Sequence, residues 1–161
     1  MKDVIKAHID FSDESYELLM SIAKEKQVTR NQLIFQPGKP TKKILFLTKG
    51  LLRGYKIMDG KEHTHHFYLA DWFATDLNSF LSNEPSQSYI ETIEDCTYFE
   101  FQKDDLLRLY HKSHQLESLG RLVAEKAFLI TVEKLANMQL NNLSQKYELL
   151  MKTSPDLILR V

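Results

Sequence analysis

Cysteine occurs once in this chain, at Cys96. A single thiol excludes a disulfide framework, a cysteine-ligated zinc site and an iron–sulfur cluster built within the chain. Charge of one sign is also missing: 21 basic and 22 acidic residues leave a net charge of −1. That balance argues against this segment gripping nucleic acid unaided. The longest apolar runs are four or five residues, far short of a membrane span, so no membrane partner is expected. The first residues, with Lys2, Asp3, Lys6 and His8, do not form a signal-peptide stretch, and the expected location is the cytoplasm. What is present is ordinary globular material: 161 residues, 43% hydrophobic and 27% charged. That is enough to bury a core in one domain with an appended element.

The chain opens with a helix signal. Ser12 can cap it, Asp13 and Glu14 occupy the first turn, and Phe11 can staple against Tyr16. Tyr16, Leu19, Ile22 and Ala23 would share its packed face. From about Gln27 to Phe101, β-branched and aromatic stretches recur at roughly ten-residue intervals. They are Val28–Phe35, Lys43–Leu47, Leu51–Met58, His63–Leu69, Gln87–Ile93 and Thr97–Phe101, with turn signals between them. Asp59-Gly60 is the sharpest, because a two-residue type I′ hairpin needs positive φ at both positions. Many short strands at this spacing predict a sandwich or barrel.

Helical character returns at Lys103, where Leu106, Leu107 and Tyr110 mark a short helix behind Asp104 and Asp105. A long helix follows, from about His114 to Leu143, interrupted only by Gly120. Its apolar residues form two stripes. Leu116, Leu119, Val123, Ala127 and Ile130 make one; Leu122, Leu129, Val132, Ala136 and Leu143 make the other. A helix apolar on two sides must be covered on two sides. The same helix of a second subunit is the simplest second cover, which puts Leu122, Val123, Leu129, Ile130 and Ala136 at a dimer interface. Cover of both faces by strands and the first helix is the alternative. Near the end, Ser154-Pro155-Asp156 reads as a helix start followed by only five residues, as in an interrupted domain.

The order of these pieces is recognisable. A helix, then Leu33-Ile34-Phe35 with Pro37-Gly38, then Ile44-Leu45-Phe46-Leu47 with Gly50, Leu52 and Arg53, then Asp59-Gly60-Lys61-Glu62, resembles the cyclic-nucleotide-binding fold. More closely it resembles the CRP/FNR superfamily of bacterial transcription regulators. That resemblance implies a mainly β fold with flanking helices: a double-stranded β-helix (jelly roll) followed by a long dimerisation helix. It implies a sensor roll over 1–113, the dimerisation helix over 114–143, and at 144–161 the truncated opening of a winged helix-turn-helix domain. DNA would be a partner only through that C-terminal domain, which this chain does not complete.

In ligand-binding relatives a Phe-Gly-Glu-Leu-like segment and a following arginine receive the ribose and the cyclic phosphate. The matching stretches here are Trp72-Phe73-Ala74-Thr75-Asp76-Leu77 and Glu84-Pro85-Ser86-Gln87-Ser88. Candidate ligand residues are therefore Ala74, Thr75, Asp76, Ser86, Gln87 and Ser88. The arginine position holds Pro85, Ser86 or Gln87, and between Lys61 and Lys103 there is no lysine or arginine but eight acids. Losing a charge-assisted bond to a buried phosphate costs roughly 1.5–3 kcal/mol. Standard binding of cyclic AMP is not expected unless another arginine, Arg53 for instance, substitutes. A neutral polar or cationic effector suits the hydroxyl-rich lining better, with Asn78 and Ser79 joining it and Tyr55, Phe67, Trp72 and Phe73 as walls. A collapsed, ligand-free roll is the alternative.

Other constellations carry less. Strand alternation would put His63 and His65 on one face, close enough to share a metal, and a His-x-His on a jelly-roll strand resembles the cupins. Cupins, however, flank that pair with a glycine and a glutamate where this chain has Ile57 and Leu69 or Ala70. Cys96 reads as a small buried hydrophobe. No nucleophile motif or catalytic constellation is present, and no metal or cofactor is implied. The expected function is thus the sensor and dimerisation part of a regulator, not an enzyme. A cupin-like metal enzyme and a free-standing regulatory module are the alternatives.

Overall fold

The computed structural model describes residues 1–140, with side chains through Ala136, together with Arg160. The chain divides into two compact units, Met1–Arg121 and Leu122–Val161. The long helix is described as far as Leu140, and the expected helix-turn-helix opening at 144–161 lies outside the described residues apart from Arg160.

The first unit begins with α1 (Lys2–Lys6), which the sequence did not announce, and which buries Ile5. Next comes α2 (Asp13–Ser21), capped as its sequence predicts: the Ser15 amide donates to Ser12 Oγ at 3.1 Å. Phe11 and Leu19 are buried. The helix stops earlier than its apolar spacing suggested, because Ile22 is already the C-cap and Ala23 lies beyond it. The chain turns there into β1 (Lys24–Val28), a charged strand that pairs with the seventh strand downstream.

The remaining strands are β2 (Leu33–Phe35), β3 (Lys43–Lys49), β4 (Leu52–Met58), β5 (Lys61–Tyr68), β6 (Phe73–Ala74), β7 (Tyr89–Thr92) and β8 (Cys96–Gln102). One sheet runs β1-β8-β3-β6 and the other β2-β7-β4-β5, every pair antiparallel. The expected jelly roll is formed. The expected single strand Val28–Phe35 is two strands, split by a turn at which Asn31 adopts φ +60° and donates its amide to the Thr92 carbonyl. β1 escaped the sequence reading because Lys24, Glu25 and Lys26 lack the apolar alternation of a strand; the charges suit an edge position. At the β4–β5 hairpin Asp59 and Gly60 have φ of +53° and +74°, as a type I′ turn requires.

The core lies between the sheets. Phe35, Leu45, Leu47, Leu52, Tyr68, Ala74, Ile90, Cys96 and Tyr98 form one buried cluster. β3 is buried on both faces: Leu45 and Leu47 point into that cluster, while Phe46 on the opposite face meets Phe73 edge to face at 5.0 Å. Each such aromatic or aliphatic side chain contributes about 1.5–3 kcal/mol on burial. Gly50, at φ +105°, joins β3 to β4 where a methyl would stand 2.4 Å from Cys96 Sγ. Cys96 is buried, as its sequence suggested.

Two helices complete the unit. α4 (Lys103–Tyr110) packs on β8 and α2 through Leu106 and Leu109. α5 (His114–Leu140) begins here, burying Leu116 and Leu119. Ser15 Oγ meets Ser113 Oγ at 2.9 Å, and the Ser12 amide donates to Gln115 Oε1 at 2.9 Å. Gly120 lies against Tyr110: a methyl there would stand 2.6 Å from its hydroxyl.

In the second unit α5 carries Phe128, Leu129, Val132 and Leu135, all large and all about half exposed or more. Leu122, Val123 and Ile130 are half-buried, and Ala136 is exposed.

Candidate functional site: a buried serine–threonine cluster in the roll

Below β6 the chain enters α3 (Leu77–Ser82), and Asp76 is its N-cap. Asp76 Oδ1 accepts the Ser79 amide at 3.3 Å and Oδ2 accepts the Ser86 hydroxyl at 2.6 Å. The short second bond is the charge-assisted kind. Ser86 Oγ also accepts the Ser88 amide at 3.0 Å. Ser79 Oγ accepts the Thr41 amide at 2.9 Å and donates to the Glu84 carbonyl at 2.6 Å. The backbone adds two bonds: Gly38 N–H to the Ser86 carbonyl at 2.9 Å, and Ser86 N–H to the Lys39 carbonyl at 3.0 Å. Three segments are thereby joined: the 38–41 loop, α3, and residues 84–88.

Thr41, Thr75, Ser79, Ser86 and Ser88 are all buried. Among the described residues no buried side-chain nitrogen or oxygen lacks a hydrogen-bond partner. Burial without partners would cost more than these hydroxyls contribute, so satisfaction is the condition for having them here. Tyr68 closes the cluster from β5, donating its hydroxyl to the Thr75 carbonyl at 3.1 Å. Burial, and then the nearby Asp76 charge, hold its phenol pKa far above the ordinary tyrosine value.

Of the expected ligand residues, Asp76, Ser86 and Ser88 meet in this cluster. Thr75 borders it through its carbonyl, while its hydroxyl donates to the Lys43 carbonyl at 2.9 Å. Ala74 pairs with Leu45 and belongs to the core, and the Gln87 side chain is exposed. Thr41 and Tyr68 were missed by sequence reasoning. Tyr68 ends β5 opposite Leu52, and a bulge earlier in the strand hides its phase from the sequence. Thr41 was not legible either, since its role depends on a loop meeting α3.

The expected walls divide differently. Phe73 lies on the face of Phe46, and Phe67 stands opposite Arg53 in register. Tyr55 stacks on Tyr89 with centroids 5.0 Å apart, beneath the Arg53 guanidinium at 4.4 Å. Arg53 itself is engaged: Nε donates to Glu91 at 2.9 Å and Nη2 to Glu62 at 2.6 Å. Desolvation works against its charge, but the two carboxylates outweigh it and raise its pKa. Leu52, its neighbour, is in the inter-sheet core, so strand alternation sends Arg53 to the other face.

The histidines do not alternate as expected. Tyr55 pairs with Thr64 and Gly54 with His66, which leaves His65 as the extra residue of a bulge. Its ring fills the space beside Gly54, 3.0 Å from where a Cβ would stand. The bulge resets the face on which the His63–His65 pair was placed. Among the described residues no three His, Cys, Asp or Glu side chains converge as a possible metal site. Nor, among those residues, is any helix long and apolar enough to cross a membrane.

An eight-stranded antiparallel roll with a capped helix between β6 and β7, followed in sequence by a long helix, defines the class of the domain as a jelly roll with flanking helices. The chain belongs to the cyclic nucleotide-binding domain family, whose model matches residues 25–113. No curated protein matches the sequence. Solved structures match in fold. A cyclic nucleotide-binding domain from Methylobacillus flagellatus aligns with a TM-score of 0.72 at 17% identity, covering 88% of this chain and 83% of that one. The c-di-GMP-responsive global regulator CLP of Xanthomonas campestris aligns with a TM-score of 0.70 at 14% identity, covering 90% and 74%. The catabolite activator protein of Thermus thermophilus aligns with a TM-score of 0.66 at 17% identity, covering 81% of this chain but only 61% of the activator.

Proposed function

We propose that this chain is the sensor and dimerisation part of a CRP/FNR-type transcription regulator, cytoplasmic and without catalytic activity. Residues 1–113 are the sensor, 114–143 the dimerisation helix, and DNA contact falls to a C-terminal domain beginning near residue 144. The observation that carries the dimer is the run of exposed apolar side chains on α5, Phe128, Leu129, Val132 and Leu135. Such a stripe on a long helix calls for a second helix. With Leu122, Val123, Ile130 and Ala136 it forms the proposed interface between two copies. Signal passes by population shift: the state of the roll biases how the paired helices sit, and they re-aim the DNA-binding domains.

The roll does not take cyclic AMP in the standard manner. No lysine or arginine occurs between Lys61 and Lys103, and Arg53 is already bound to two carboxylates. Calorimetric titration with cyclic AMP and cyclic GMP should give no binding tighter than about 100 μM. A micromolar isotherm would overturn the nucleotide part of the reading. For the dimer, Leu129→Asp should give monomers by sedimentation with the roll still folded. An unchanged assembly would overturn that part.

A further inference from the structure

We propose that Asp76 is the resident anion of this roll: its carboxylate latches residues 84–88 onto α3 and the 38–41 loop, and the roll is set without a diffusible anionic effector. This deepens the preceding reading of the chain as a regulator's sensor and rests on it.

The argument is an inventory of protons and charge. A serine hydroxyl has one proton to give. That of Ser86 goes to Asp76 Oδ2 across 2.6 Å, the shortest of its contacts and the one to an ionised acceptor. The Ser86 oxygen is then occupied by the Ser88 amide, its own amide by the Lys39 carbonyl, and its carbonyl by the Gly38 amide. The Ser79 amide goes to Asp76 Oδ1, and the Ser79 hydroxyl to Glu84. The donors that a small anion would need are therefore already spent: the Ser86 hydroxyl and the Ser79 amide on a carboxylate of the chain itself, the others on neutral oxygens around it. An entering phosphate or carboxylate would meet that negative charge in a partly buried setting, where repulsion is less screened than in open water.

The ammonium that does reach α3 leaves that charge uncompensated. Lys103 reaches the opposite end of α3, donating to the Phe80 carbonyl and, at 2.9 Å, to Asn83 Oδ1. The six-residue helix thus has a carboxylate at its start and an ammonium at its end, both from this chain, in the sense its dipole favours. The roll's input must then be something other than an anion docking between α3 and residues 84–88.

The test compares wild type with Asp76→Ala by hydrogen exchange and thermal unfolding, in chloride and in formate at matched ionic strength. In the variant the amides of Gly38, Ser86 and Ser88 should exchange about tenfold faster or more, while those of Leu45 and Leu47 stay protected. Formate, a carboxylate small enough to enter the vacated space, should restore part of the lost midpoint in the variant and leave wild type unchanged. Unchanged exchange at those three amides would overturn the proposal. So would an absence of formate recovery, or equal stabilisation of wild type. If Asp76→Ala does not fold, Ser86→Ala removes one arm of the latch, and unchanged exchange at Gly38 and Ser88 there would overturn it. Cyclic nucleotide titration of wild type is separate: micromolar binding there counts against the functional reading whether or not the latch behaves as described.

Discussion

Ser79 donates its hydroxyl proton to the carbonyl of Glu84 across 2.6 Å and takes the amide proton of Thr41 in return. One fully buried oxygen therefore ties two loops to a helix that is only six residues long. Ser79→Ala takes this partner from the amide of buried Thr41 and from the Glu84 carbonyl. It should lower stability by about 1–3 kcal/mol in urea unfolding. A midpoint equal to wild type would show that the loops hold without it.

Arg53 separates the carboxylates of Glu62 and Glu91 on the face away from the inter-sheet core. Arg53→Met keeps the packing over Tyr55 but removes the intervening charge. The expected loss is about 1 kcal/mol, discounted because the pair is partly solvated, and it should shrink as salt is added. A loss that grows with salt would contradict this account.

Alkaline pH should weaken the fold. Unfolded, tyrosine ionises near pH 10. In the folded chain, burial raises the pKa of Tyr68 foremost, and that of Tyr55, Tyr98 and Tyr110 as well. Above pH 10 the unfolded chain has released protons that the folded chain retains, so rising pH draws the equilibrium towards unfolding. The stabilisation is complete below pH 10 and lost above it. Tyr68→Phe should flatten that decline by up to about 1.4 kcal/mol per pH unit, measured as denaturant midpoints between pH 9 and 11.5. An equally steep decline in the variant would place the titration elsewhere.

In the second turn of α5, Gly120 makes room for Tyr110, the last residue of α4. Alanine is the better helix former by about 1 kcal/mol, yet Gly120→Ala should destabilise, since its methyl would stand 2.6 Å from the phenol oxygen and 2.8 Å from Cζ. Adding Tyr110→Phe should recover part of the loss, because only the nearer atom is removed. A stabilised single variant would mean that the ring moves freely.

Much of the roll was legible because its signals are local. Ser12 caps α2 and Asp59-Gly60 turns the β4–β5 hairpin with no help from elsewhere. The elements that escaped depend on distant partners. β1 exists because β8 lies beside it, pairing Lys24 with Glu100 and Lys26 with Tyr98. β6 is two residues long and exists by pairing antiparallel beside β3. In the cluster, Asp76, Ser86 and Ser88 were found by their place in a known order of motifs, whereas Thr41 enters only because its loop folds back on α3. The bulge at His65 was invisible for the same reason: a shift of register is a property of two strands, and one strand's alternation cannot report it.

The fit of Gly50 against Cys96 gives the chain a clock. Sγ is buried at the turn between strands, with no space even for a methyl on the facing glycine. A thiol reagent can reach it only after that turn has come apart. Because no other cysteine competes in the sequence, the rate of modification counts the openings of the roll one by one. Any molecule that steadies the roll, whatever its chemistry, would slow that clock and so disclose itself without its identity being known beforehand.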